Sequence, residues 1–335
     1  MDYKEINELL RQQGMYVDFG DLIKPNFFSW ENGESIFNHF LTMISGAIEY
    51  QKSEFLTLLI LCILFGAISQ LSVVLGKKNY GNYGFYIYFI CSATICIKMY
   101  WECYELVSKT IQTVLQFTQM IWPIFCASIY VADGSYTGIG TYGLLLLEAM
   151  VIEIVIFKVC VPLDKLFLSI QFANACTGQD MLSKTGELVY DGVIFILRGM
   201  LGIFCGMDII RGLVLPSRDR LIRGGIEKVA TLIPGIGNIN NLCTQVILGA
   251  SETLKNGIGA GTLIILFALL AGPFVTLLLY IVCFRLLEAF MQPLVKERMN
   301  LLLGGCGKSI TLLEKTLLYT YGMLFISISL ITVVT

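Results

Sequence analysis

The chain has 335 residues, of which 56% are hydrophobic and only 14% charged, and its formal net charge is −2. Charged side chains normally supply about a quarter of a globular sequence, so a mean hydropathy of +0.74 is too high for a surface that faces water throughout. The lipid bilayer is the first partner expected, and the near-neutral charge gives no electrostatic basis for binding nucleic acid.

Residues 1–52 are the only long stretch of soluble composition. "MDYKEINELLRQQG" is polar, so no secretory signal is expected there. "NELLRQQ" and "ESIFNHFLTMISGAIEY" space their apolar residues as helices do, which predicts short helices on or near the membrane surface. This N-terminal segment leads into a transmembrane domain over 53–335.

An apolar stretch of roughly 20 residues crosses a bilayer as a helix, because each amide must find its partner within the segment. Phe55–Leu75 carries no charge and predicts the first span. A second runs over 85–107, ending near Tyr100, Trp101 and Tyr104, which suit the lipid–water boundary. A third, 111–131, contains Gln112, Gln116, Gln119 and Pro123. Spans at 139–163 and 193–215 carry ionisable residues; 261–284 and 316–335 do not. Asp164–Tyr190 reads as an extramembrane loop with an interfacial helix. Arg285–Lys315 reads as an amphipathic interfacial helix followed by a Gly-Gly turn. The fold class is therefore an all-α polytopic membrane bundle with interfacial amphipathic helices.

Basic residues set the count of spans. Lys77 and Lys78 follow the first span, and Arg211, Arg218, Arg220, Arg223 and Lys228 surround the end of the fifth. Both groups belong on the cytoplasmic side, with the N-terminus outside. Arg285, Lys296, Arg298 and Lys308 conflict with a seven-span alternation, and an eighth crossing at 231–250 removes the conflict.

That eighth segment opens "TLIPGIGNINN". Pro234 removes an amide donor, and Gly235 and Gly237 each weaken a helix by roughly 1 kcal/mol relative to alanine. Asn238 and its neighbours offer side chains that bridge backbone groups. The segment is either a re-entrant, broken helix beside a pore or an interfacial turn, since irregular backbone at membrane depth needs protein or water to satisfy it.

Glu148, Glu153, Arg198 and Asp208 lie inside predicted spans, with Lys158 nearer one end of its own. Charges there face the bundle interior, pair together or meet water. They are candidates for a polar pathway or for structural pairing, with Glu148 and Arg198 the preferred pair. Five residues separate Glu148 from Glu153, about 140° around a helix, so these two do not form one site. Eleven cysteines include no Cys-x-x-Cys, and most sit singly in apolar runs, where a thiol acts as a small hydrophobe. No Walker loop, G-x-S-x-G or H-E-x-x-H pattern occurs, so no enzyme, catalytic residue, metal or cofactor is expected. "LGGCGKS" lacks the spacing of a phosphate loop.

From Arg223 to the C-terminus, "LIPGIGN", "ILGASETLKNGIGAGTLIILF" and "LLEAFMQPL" follow one another in an order that resembles the stage III sporulation protein AE family of endospore-forming Firmicutes. "FGDLIKPNFFSWENGESIF" leading to "FLTLLILCILFGAISQL" is similar in layout. Family members commonly begin with a cleavable signal, and where the family motif often reads Val-Pro-Val-Val-Gly this chain has Ile233-Pro234-Gly235-Ile236-Gly237. The resemblance implies a multi-pass protein of the mother-cell membrane around the forespore. It implies a component of a channel-like, secretion-like complex with the other stage III sporulation A-series proteins and the forespore protein Q of stage II. That complex keeps the forespore competent for late gene expression. The residues alone leave open a stand-alone secondary transporter, a non-conducting scaffold and a homo-oligomer.

Overall fold

In lipid every backbone amide must be satisfied inside its own segment, and the secondary structure of the described residues is helical throughout. The computed structural model describes residues 3–12, 15, 18–22, 46, 52–53, 55–64, 67, 78–133, 137–178, 181–230, 237–292 and 297–334; along parts of these, 211–230 and 237–256 among them, it describes the backbone alone. The helices are α1 (Lys4–Gln12), α2 (Phe19–Leu22), α3 (Phe55–Leu64), α4 (Lys78–Asp133), α5 (Thr137–Val155), α6 (Val161–Thr177), α7 (Ser183–Ala230), α8 (Gly237–Met291) and α9 (Glu297–Val334).

Among the described residues, two of the seven or eight spans expected from hydropathy are helices of spanning length. Ser183–Ile210 and Gly257–Met291 are long and apolar enough to cross a bilayer. Phe195 of α7 is 78% exposed and Phe267 of α8 is 69% exposed, faces that suit hydrocarbon and not water. Elsewhere the expected segments fuse. The 85–107 and 111–131 spans belong to the single 56-residue α4, about 84 Å long at 1.5 Å per residue. Charges mark the end of a hydrophobic stretch, but Lys98, Glu102, Glu105 and Lys109 are good helix formers and end no helix.

The loop expected over 164–190 is mostly helix. α5 passes into α6 through one π-turn, Ile156–Cys160, in which the Val161 N–H bonds the Ile156 carbonyl. Pro162 supplies the cause, since it has no N–H to donate and its ring would crowd the carbonyl four residues back. α6 ends where Gly178 takes φ +67° and its N–H bonds Asn174 O at 2.9 Å. Asn174 Oδ1 then accepts the Leu182 N–H at 3.0 Å, fixing the corner before α7.

α9 is the central element, packed on α4, α6, α7 and α8. The turn expected at Gly304-Gly305 does not occur; the helix runs straight through it. A Cβ on Gly304 would lie 2.8 Å from Glu288 Oε1 of α8, and one on Gly305 would lie 2.6 Å from Gln171 Cβ of α6. The glycines let two neighbours approach the helix axis, as small residues do between membrane helices. Buried Ser309, Thr316 and Thr320 each donate to the carbonyl four residues back, so none leaves an unmet proton in the seam.

At the N-terminus, α1 buries Ile6, Leu9 and Leu10 and packs on α4. Asn7 Oδ1 accepts the Phe19 N–H at 2.8 Å, and the Tyr3 and Phe19 rings lie 5.2 Å apart. This clip holds α2 against α8.

Candidate functional site

Helical periodicity decides which of the intramembrane charges turns inward. On α5, Leu145, Glu148, Ala149 and Ile152 are all buried, the spacing of one helix face. Glu153 lies outside that stripe and is exposed. On α7, Val193, Leu197, Met200, Phe204 and Asp208 form the corresponding buried stripe. Arg198 falls beside it, exposed, and its Nε–H donates to Tyr319 Oη at 3.3 Å.

The expected pairing of Glu148 with Arg198 is therefore replaced by another. Glu148 of α5 and Asp208 of α7 meet on Ser327 of α9. Ser327 Oγ lies 2.5 Å from Glu148 Oε1 and 2.6 Å from Asp208 Oδ2, and all three residues are at most 3% exposed. A hydroxyl carries one proton and so can donate to one carboxylate only. The second short contact needs a proton on the carboxyl side, donated to a serine lone pair. Both distances lie in the range of charge-assisted O–H···O bonds. The trio is therefore a candidate for holding one shared proton. Cys205, one turn before Asp208, lies within electrostatic reach of both acids. Beside the trio, Ile121, Trp122, Phe125, Leu145, Thr262 and Ile328 line a cavity of about 10 Å³, room for one water at most.

Other ionisable groups on these helices meet tyrosine hydroxyls. Lys315 Nζ donates to Tyr190 Oη at 2.6 Å, and Tyr280 Oη donates to Glu102 Oε2 at 3.1 Å. Tyr100 Oη donates to Asp164 Oδ2 at 2.7 Å. Asp164 is 1% exposed and lies outside both span-length stretches. Its neighbour Lys165 sits 4.0 Å over the Tyr104 ring and 5.2 Å over Trp101. Burial pushes the Asp164 carboxyl up to about 7, against the opposing pull of the Tyr100 bond and Lys165.

The sign of that shift gives a prediction. A carboxyl whose folded value exceeds its unfolded value binds more protons when folded, so stability is greatest below about 4 and falls as pH rises through about 7. The full change is roughly 4 kcal/mol at 1.36 kcal/mol per unit. Asp164→Asn keeps an oxygen for Tyr100 and should flatten the dependence of the detergent melting temperature on pH between 4 and 7. A slope equal to that of the unaltered protein would sink the assignment.

Of the broken-helix residues, Pro234 and Gly235 lie outside the described residues. Gly237 and Asn238 form the first turn of α8, whose backbone continues unbroken to Met291. His39 also lies outside them. Among the described residues no group of three His, Cys, Asp or Glu could hold a metal ion. Sequence reasoning missed Ser327, Tyr100 and Asp164. Serine in "SISLIT" carries no mark of its own, and Asp164 opens a stretch whose mixed composition reads as a loop.

A family model for stage III sporulation protein AE matches residues 20–335. A protein of that name from Bacillus subtilis (strain 168) is 21% identical over 276 residues, covering 82% of this chain and 69% of its own. No solved structure matches.

Proposed function

We propose, from the premise that the chain belongs to the stage III sporulation protein AE family, that it is a non-enzymatic component of a channel-like complex in the mother-cell membrane. There it would join the other stage III sporulation A-series proteins and, across the intermembrane space, the forespore protein Q of stage II. Its task would be to keep the engulfed forespore competent for late gene expression. The family match carries the sporulation role. The buried trio of Glu148, Ser327 and Asp208 supports a pathway over a passive scaffold, because buried acids in a membrane bundle commonly serve ion or proton movement. The same trio favours, as a second reading, a proton-coupled transporter that works alone.

Deletion of the gene in its own host, followed with a late forespore reporter and a membrane dye, tests the proposal. Arrest after engulfment, with a silent reporter and a shrunken forespore, is expected. Spores formed at normal yield would overturn it and leave the transporter reading.

A further inference from the structure

A second cavity, of about 70 Å³, lies between four parts of the chain. Its walls are Met15 from the N-terminal segment, Thr110 and Thr113 of α4, Leu269 and Pro273 of α8, and Tyr321 of α9. Tyr321 is 4% exposed, and its hydroxyl has no hydrogen-bond partner among the described residues. Buried hydroxyls are seldom left unpaired, so this one calls for a partner from outside the described residues.

The other walls have the complementary chemistry. Pro273 has no N–H, so the Leu269 carbonyl four residues earlier loses its helical donor. Both residues line the cavity. Thr110 Oγ1 spends its proton on Leu106 O at 2.7 Å and keeps its lone pairs. The cavity thus combines one unmet donor with several acceptors, and none of its lining residues is charged. That pattern does not suit a bare cation or anion. It suits water, which accepts one bond and donates two, and the volume exceeds the 10–15 Å³ that one water needs.

We propose that this cavity binds a small cluster of ordered water, held by Tyr321, Thr110 and the Leu269 carbonyl at the Pro273 break. The cluster is a hydrated site distinct from the Glu148–Ser327–Asp208 trio, walled on one side by Met15. It stands independently of the complex proposed above.

The test is hydroxyl-radical footprinting by X-ray irradiation of the full chain in detergent, read by mass spectrometry. Radicals form from bound water and attack its neighbours. Tyr321 should be oxidised several-fold faster than Tyr280, which is also buried, at 2% exposure, and does not line the cavity. A Tyr321 rate no greater than that of Tyr280 would overturn the proposal. Tyr321→Phe supplies a second reading. With water in place it removes a satisfied bond and lowers the melting temperature; in a dry cavity it removes an unpaired hydroxyl and raises it. A raised melting temperature would likewise overturn the proposal.

Discussion

Replacing Glu148 and Asp208 together by leucine is expected to leave the protein in the membrane at normal level and to reduce heat-resistant spores to the yield of the deletion strain. The two acids meet through Ser327, at 2.5 and 2.6 Å. Matched apolar replacement of a buried polar group costs little and can stabilise by 1–4 kcal/mol, so loss of spores at normal protein level would be loss of function and not of fold. Ser327→Ala is expected to behave differently. It leaves both carboxyls buried without the hydroxyl between them, at about 1–3 kcal/mol, and should lower the melting temperature as well. Spore counts beside immunoblots of the membrane fraction separate the two effects. Full spore yield with the double leucine would reduce the trio to packing and favour the scaffold.

Gly305→Ala is expected to give the largest loss of stability among single changes on α9. Its new methyl would lie 2.6 Å from Gln171 Cβ, so α6 and α9 would have to move apart. Overpacking of this kind costs about 1–3 kcal/mol. Gly322 is on the same helix and has no atom within 4 Å of its missing Cβ. Gly322→Ala should therefore stabilise, by up to about 1 kcal/mol of helix propensity. Thermal melting in detergent compares the two directly. Equal shifts would mean that the seam at Gly305 is not close-packed.

The contrast between those glycines also shows how far the sequence could be read. Apolar content makes the chain helical, and the spacing of "NELLRQQ" marks α1. Periodicity contained more than was taken from it: Leu145, Glu148, Ala149 and Ile152 share one face, which already turns Glu148 inward and Glu153 away. Partner choice was not legible, because it depends on how α5, α7 and α9 cross, and no spacing within one helix encodes a crossing. Arg198 therefore looked like the natural partner of Glu148, although it sits next to the buried stripe of α7 and not in it. Gly304-Gly305 looked like a turn because glycine serves turns and close helix contacts alike. The span boundaries misled for a related reason: hydropathy falls at Lys98 and Glu102, while the helix they belong to continues for another thirty residues.

The proton held between Glu148 and Asp208 is the claim on which the functional reading rests, and infrared spectroscopy measures it directly. In purified protein at neutral pH, carrying Asp164→Asn so that this carboxyl is silent, the account predicts the carbonyl stretch of a protonated carboxyl. That band should disappear on adding Glu148→Gln and Asp208→Asn. A spectrum with no such band, or one unchanged by the two substitutions, would contradict it.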